Sequence, residues 1–232
     1  MVYPRLTSGE FDYAHVVACS CVQKKPEDGF TRLLRYSNLG ALARFTFENL
    51  EPQGKSGHPK SRDRFEAAYH AARLFAANPA GWIVLTGPSG SGKTHLAAAI
   101  VGERIKLGFP TLYASAPDLL DHLRSAYSPE SETPFDETLD TVKNAPLLVL
   151  DDLGVQSGTP WAREKLDQLL NHRFNAELPT VIITITPLGE LEDRLRTRLT
   201  DPRLCEVFVL DENLPMTEYS WRRLEPRLPA KT

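Results

Sequence analysis

A glycine-rich octapeptide has the residue types and the spacing that bind a nucleoside triphosphate. It matches the pattern G-x-x-x-x-G-K-S/T and consists of Gly87, Pro88, Ser89, Gly90, Ser91, Gly92, Lys93 and Thr94. An apolar run precedes it and a helical pattern follows, so that backbone N–H groups and the positive end of a helix dipole would face phosphates. We expect ATP in this loop, with Lys93 at the β and γ phosphates and the hydroxyl of Thr94 at Mg²⁺.

Two adjacent carboxylates follow a second apolar run, residues 147–150. They belong to Asp151 and Asp152. We expect Asp151 to bind Mg²⁺ and Asp152 to activate the water that attacks the γ phosphate. Two acidic residues at a strand end would by themselves be more typical of a solvated loop or a helix cap. The glycine-rich loop upstream favours the nucleotide site.

Two further positions would complete a hydrolytic site. Thr186 ends the apolar run 180–186 near the expected level of the γ phosphate, although a structural threonine at a strand end fits the pattern equally well. Arg194, Arg196 and Arg198 recur at two-residue steps, so that in a helix at most two of them reach a common ligand. An arginine from a neighbouring subunit stabilises charge on a transferring phosphate, whereas a solvated basic helix is the alternative.

The elements that must position these residues alternate along the chain. Five short apolar runs predict buried strands, at residues 82–85, 110–115, 147–150, 180–186 and 205–210. Helical patterns lie before and between them, at residues 64–75, 95–107, 116–125 and 160–177. Residues 51–64 have the composition of a loop. The alternation favours an α/β fold, a doubly wound parallel sheet with helices on both faces.

The overall composition is that of an ordinary globular protein, with 25% charged and 41% hydrophobic residues. The net charge of −3 means that contact with nucleic acid would require a local basic patch. Because no apolar run approaches the roughly 20 residues of a membrane span and no signal peptide is visible, we expect a cytoplasmic protein. Cys19 and Cys21 would form only half of a zinc site, since no second pair is present.

The order of these motifs resembles the AAA+ ATPases of the DnaC, IstB and DnaI group, the helicase loaders and their transposition-associated relatives, which are close to DnaA. The resemblance covers about residues 42–210 and is carried by the segments 45–50, 87–95, 147–156 and 191–199. It implies a P-loop NTPase of AAA+ type with a five-stranded parallel sheet. The implied organisation is a small N-terminal arm at 1–41, an ATPase core at 42–211 and a tail at 212–232, too short for a C-terminal lid.

The resemblance also implies roles for single residues. It extends the nucleotide-binding set to His95 and identifies Lys93 and Thr94 with Walker A, and Asp151 and Asp152 with Walker B. It identifies Thr186 with sensor I, and Arg198 with the arginine finger that acts on a neighbouring subunit; Arg194 is the second candidate for the finger. Because asparagine is common at sensor I, the shorter Thr186 predicts hydrolysis that is weak or triggered by a partner.

A helical insertion at about 116–144 is implied to grip single-stranded DNA, with His122, Arg124 and Tyr127 as candidate contacts. Acidic side chains in the same stretch would oppose phosphate binding, those of Asp118, Asp121, Glu130, Glu132 and Asp136. The expected function is that of an ATP-hydrolysing protein that oligomerises with ATP and loads a replicative helicase onto single-stranded DNA.

Three alternatives to this function carry different expectations. Regulation of a transposase, as in IstB, shares every motif described above. A nucleotide kinase would need a lid and an arginine-rich acceptor pocket, neither of which is visible in the sequence. An ATP-binding module with negligible hydrolysis is consistent with Thr186.

Overall fold

Five parallel strands form one sheet in the computed structural model, which describes residues 39–126, 135–154 and 159–210. The strands are β1 (Trp82–Thr86), β2 (Leu112–Ser115), β3 (Leu148–Asp151), β4 (Thr180–Thr184) and β5 (Cys205–Val209). Their order across the sheet is β2-β3-β4-β1-β5, and every pairing is parallel. The carboxyl ends of β1, β3 and β4 therefore lie side by side at one edge of the sheet.

Six α-helices accompany the strands in the described part of the chain. They are α1 (Pro59–Ala77), α2 (Lys93–Lys106), α3 (Ala116–Ser125), α4 (Phe135–Lys143), α5 (Pro160–Asn175) and α6 (Asp193–Leu199). Short 3-10 helices span Gly40–Arg44 and Leu188–Glu190. Helices α1 and α2 pack on one face of the sheet, and α3, α4 and α5 pack on the other. The predicted doubly wound sheet is confirmed.

The central strands are buried on both faces, which explains why they are read as continuous apolar runs. In β1, Ile83 and Leu85 join the core beneath α1 and α2, while Trp82 and Val84 join the core on the opposite face. Each is at most 2% exposed. Burying one such aliphatic side chain stabilises the fold by about 1.5–3 kcal/mol, so these strands form a rigid base for the loops that follow them.

Several element boundaries differ by one or more residues from the sequence-based prediction, among them the start of α1 and the end of β4. Helix α1 begins at Pro59, so the predicted loop at 51–64 is wrong for its last six residues. Proline is well suited to the first turn of a helix because its missing N–H would have no partner there. The charged residues Lys60, Arg62 and Asp63 stay exposed, whereas Arg64 is buried. Strand β4 ends at Thr184, so that Thr186 lies beyond the strand rather than at its end.

Several predicted features lie outside the described residues. They are most of the N-terminal arm with Cys19 and Cys21, the tail, Tyr127, Glu130 and Glu132. Among the helices that the structure describes, none combines the length and apolar character that a membrane span requires.

A buried arginine joins the C-terminal ends of α4 and α5 to the first residue of β4. The guanidinium of Arg173 is fully buried and donates to five acceptors, Thr180 Oγ1 and the carbonyls of Val142, Lys143, Ala145 and Pro179, at 2.6 to 3.4 Å. Burial lowers the pKa of Arg173 to about 10, so the side chain remains charged near neutral pH. Two of these carbonyls, those of Val142 and Pro179, also accept from the backbone N–H groups of Ala145 and Leu148. Arg173 therefore adds a second donor there and links the three elements to one another.

We expect Arg173→Met to lower the free energy of unfolding by about 3 kcal/mol, because five acceptors, four of them carbonyls, lose the same buried donor at once. Urea unfolding followed by circular dichroism measures the change. The matched control is Arg163→Met on the exposed side of the same helix, expected to stay within about 0.5 kcal/mol of the wild type. Equal effects of the two substitutions would contradict a structural role for Arg173.

Candidate nucleotide-binding site

The glycine-rich loop connects β1 to α2, and two of its glycines are required by their surroundings. Gly87 has φ +145°, and a Cβ there would lie 2.7 Å from the carbonyl oxygen of Leu210. Gly92, the N-cap of α2, has φ +91°, and a Cβ there would lie 2.5 Å from the ring of Phe65. Both side-chain room and backbone conformation exclude other residues. The loop therefore curls tightly at the start of α2, as the motif predicts.

Lys93 is held inside this loop by the loop itself. Its ammonium donates to the carbonyl oxygens of Gly87 and Pro88, both at 2.7 Å, and to Ser91 Oγ at 3.1 Å. Burial lowers the pKa of Lys93, and the negative charges of Asp151 and Asp152 oppose that shift. The cation is thus fixed where successive residues of the loop surround it, the position from which it can bind phosphate oxygens.

Thr94 and Asp151 meet at the carboxyl edge of the sheet. The hydroxyl of Thr94 donates to Asp151 Oδ2 at 3.0 Å, and the backbone N–H of Asp152 donates to Asp151 Oδ1 at 2.7 Å. Asp151 is buried, with only 4% of the residue exposed. A hydroxyl and a carboxylate in contact are hard oxygen donors of the kind that Mg²⁺ prefers, so the predicted pair fits this ion.

Tyr113 is a site residue that sequence reasoning missed. Its buried hydroxyl, carried by the second residue of β2, donates to the same Asp151 Oδ2 at 2.6 Å. Burial, followed by the nearby charge of Asp151, raises the pKa of Tyr113, so the phenol keeps its proton and acts as a donor. The only signal in the sequence is a tyrosine, with its polar hydroxyl, inside the apolar run 110–115. This run forms the strand next to the one that ends at Asp151.

Asp152 differs from its neighbour in exposure and in backbone conformation. It has φ +55°, which carries the chain away from the end of β3, and its side chain is exposed. Partial burial, together with the charge of Asp151, raises the pKa of Asp152, and the ammonium of Lys93 opposes the shift. A carboxylate that is more basic than usual is suited to accept a proton from water.

Thr186 lies against the loop that follows β3. A Cβ on Gly154 would be 2.8 Å from Thr186 Oγ1, so only a glycine permits this approach. The backbone N–H of Thr186 donates to Thr184 Oγ1 at 3.0 Å, which turns the chain directly after β4. The structure thus brings Thr186 to the edge that carries Asp151 and Asp152, and its catalytic role remains a prediction.

The side chain of His95 is used to hold the segment that precedes α1. Its ring stacks on Phe45 with centroids 4.6 Å apart. Its Nε2 lies 3.2 Å from the carbonyl oxygen of Thr46 and 3.1 Å from Asn49 Oδ1. These contacts anchor residues 45–49 to the first turn of α2. A direct contact between His95 and nucleotide remains a prediction.

The two candidate arginine fingers have different surroundings on α6. Arg198 donates to Asp167 Oδ1 at 2.9 Å and to Asn171 Oδ1 at 3.3 Å, both on α5, and its side chain is 14% exposed. Arg194 is exposed and has no hydrogen bond or ion pair with another described residue. Between them, Arg196 pairs with Asp193 at 2.6 Å. The arginines therefore face different directions, as the two-residue spacing predicts.

Basic and aromatic side chains alternate across α3, α4 and α5. The guanidinium of Arg124 lies 5.1 Å from the ring centroid of Trp161, and Lys165 Nζ lies 5.4 Å from that of Phe135. Arg124 also pairs with Asp121 at 3.6 Å, whereas His122 is exposed. Sequence reasoning included Arg124 and missed its aromatic neighbour, since 37 residues separate the two in the chain. We call Arg124, Trp161, Phe135 and Lys165 the aromatic-basic cluster.

Known proteins are similar to this chain in sequence and in fold. Replicative helicase loader DnaC of Escherichia coli (strain K12) is 30% identical over 157 residues, which cover 68% of this chain and 61% of that loader. Replicative helicase loader DnaI of Bacillus subtilis (strain 168) is 32% identical over 99 residues, 42% of this chain and 31% of that loader. The crystal structure of DnaI superposes with a TM-score of 0.58 at 25% identity, covering 73% of this chain and 92% of that chain. This chain thus spans less than two thirds of the length of the two loaders that its sequence matches.

The family assignment rests on a match along most of the described chain. Residues 41–215 match the family model described as IstB-like ATP binding protein. The resemblance to the helicase-loader group is confirmed by this match and by the two loaders. The five-stranded parallel sheet with its P-loop has the AAA+ type of fold. The chain belongs to the family of IstB-like ATP binding proteins.

Proposed function

We propose that this ATP-binding protein hydrolyses ATP and, in its ATP-bound oligomeric form, loads a replicative helicase onto single-stranded DNA. The observation that carries the proposal is the meeting of Lys93, Thr94, Asp151 and Asp152 at one sheet edge. A cation, a pair of oxygen donors for a metal and a basic carboxylate are the groups that hydrolysis of a phosphoanhydride needs. The similarity to replicative helicase loaders DnaC and DnaI supports the choice of partner.

The proposed chemistry assigns one task to each side chain. Thr94 and Asp151 hold Mg²⁺, which when bound neutralises charge on the phosphates. Lys93 exchanges the carbonyl oxygens of the loop for oxygens of the β and γ phosphates. The oxygen of a water molecule attacks the γ phosphorus while Asp152 takes a proton from that water. The bond between the γ phosphorus and the oxygen that it shares with the β phosphate breaks. Thr186 contacts the γ phosphate through a side chain that is shorter than that of asparagine. We therefore expect slow turnover in the absence of a partner.

We expect Lys93→Ala to abolish nucleotide binding, and Asp152→Asn to leave binding intact while lowering turnover by about 100-fold or more. Fluorescent ATP titration and single-turnover hydrolysis with radiolabelled ATP separate the two effects. Lys60→Ala, an exposed lysine on α1, is the control and should behave like the wild type. Wild-type turnover by Asp152→Asn would remove Asp152 from the mechanism, and a wild type that binds but never hydrolyses would leave ATP as a structural ligand.

Arg198 is the residue that we propose acts on the nucleotide of a neighbouring subunit. Its contacts with Asp167 and Asn171 hold the guanidinium against α5. A guanidinium that is oriented in advance loses little freedom when it binds a phosphate. Arg194, exposed on the same helix, is the second candidate.

We expect Arg198→Ala to lower turnover by about tenfold or more without weakening ATP binding to the isolated subunit. A subunit-mixing assay tests action between subunits, because an Asp152→Asn subunit still supplies Arg198 to the intact site of an Arg198→Ala subunit. For head-to-tail contacts, an equal mixture should regain about a quarter of the wild-type rate. Arg194→Ala is measured in the same assay. A mixture no faster than its components would exclude action of Arg198 between subunits.

The proposed DNA contact uses the aromatic-basic cluster. Rings accept the faces of unstacked bases, and cations beside the rings accept phosphates, a combination that binds single strands without sequence preference. The acidic neighbours Asp118, Asp121 and Asp136 limit the affinity. We therefore propose that DNA binds most strongly when a helicase holds the strand nearby.

We expect the immobilised full chain with ATP to capture purified replicative helicase, and the captured complex to retain a fluorescent oligothymidylate. Arg124→Ala should weaken retention of the oligonucleotide by about tenfold and leave helicase capture unchanged. Arg73→Ala is the matched control, since Arg73 lies over the ring of Phe47 on the opposite face of the sheet. Capture of a purified transposase in place of helicase would favour the alternative function, regulation of a transposase, which the IstB-like family description supports.

A further inference from the structure

The hydroxyl of Tyr113 has an unusual partner for a buried tyrosine in the core. A buried phenol needs an acceptor, and a backbone carbonyl is sufficient for this purpose. Tyr69, equally buried beneath the same face of the sheet, uses the carbonyl oxygen of Phe47 at 3.4 Å. Tyr113 instead donates to the carboxylate of Asp151 at 2.6 Å, a distance typical of a hydrogen bond to an ionised acceptor.

The contact reaches the oxygen of Asp151 that also faces Thr94. Oδ2 accepts from Tyr113 and from Thr94, while Oδ1 accepts from the backbone N–H of Asp152. Three donors on three different segments therefore determine both the position and the rotation of one carboxylate. Without the phenol, Thr94 is the one remaining donor to Oδ2 among the residues that the structure describes, and the hydroxyl of Thr94 is itself assigned to the metal.

The surroundings of Tyr113 hold its phenol in place. Tyr113 is only 4% exposed and belongs to the core beneath α1 and α2. Its ring packs in the core with Leu96, Val149 and Ile183, which restricts rotation of the side chain. The donor is thus presented to Asp151 from a rigid strand.

We propose that Tyr113 is a positioning residue for the Mg²⁺-dependent part of ATP binding, acting through the orientation of the Asp151 carboxylate. The inference rests on the proposed roles of Thr94 and Asp151 at Mg²⁺. Groups that hydrogen-bond to a metal-binding carboxylate typically change metal affinity by about 10- to 100-fold when they are removed. A purely structural tyrosine would instead affect nucleotide binding to the same extent with and without the metal.

The test measures the affinity of the full chain for a fluorescent, non-hydrolysable ATP analogue in excess Mg²⁺ and in EDTA. The ratio of the two affinities is the gain due to the metal. We expect Tyr113→Phe to lower this ratio by about tenfold while the affinity in EDTA stays at the wild-type value. Tyr69→Phe, which removes a buried hydroxyl far from Asp151, is the matched control and should leave the ratio unchanged.

A double-mutant cycle identifies the route of the effect. In an Asp151→Asn background, Tyr113→Phe should change the ratio no further, because the carboxylate through which it acts is absent. An unchanged ratio in Tyr113→Phe, or equal losses in Mg²⁺ and EDTA, would overturn the positioning role alone. A wild type with no gain from Mg²⁺ would contradict the proposed metal site as well, so the two failures are distinguishable.

Discussion

The buried carboxylate of Asp151 is the constraint on which the rest of the site depends. A charge on a residue that is 4% exposed is costly unless donors surround it. Those donors come from the first turn of α2, from β2 and from the turn after β3. Tyr113 reaches Asp151 because β2 and β3 are neighbours, and Thr94 reaches it because α2 packs on the same sheet, whereas the N–H of Asp152 is adjacent in the chain. The order of the strands is therefore what brings the donors from β2 and α2 to this carboxylate.

The loop that faces Asp151 is held from outside as well as from within. Gly87 touches the backbone at Leu210, just beyond β5, and Gly92 touches Phe65 on α1. Elements that supply no proposed catalytic group therefore determine the curvature of the loop. Residues 45–49, attached through His95, extend this support to the segment ahead of α1. The nucleotide-binding loop is thus connected to both ends of the described core.

Patterns confined to short segments were predicted well because local physics produces them. A strand buried on both faces must be apolar throughout, and a phosphate-binding turn must have glycines at positive φ. The first and last residues of the helices and strands were predicted less accurately. Pro59 starts a helix inside a segment of loop composition, and β4 ends before Thr186 because the Thr184 hydroxyl bonds the backbone of the next turn. In each case a few local hydrogen bonds outweighed the compositional trend.

By itself the sequence determined the α/β class, the loop at 87–94 and the two acidic residues, since each depends on neighbours in the chain. Only the tertiary structure decided which distant groups meet. Three contacts join residues that are 31 to 38 positions apart in the chain. They are the hydrogen bond of Tyr113 to Asp151, the ion pair of Arg198 with Asp167 and the cation–π contact of Arg124 with Trp161. Such contacts follow from strand order and helix packing, because these bring segments together irrespective of their separation in the chain.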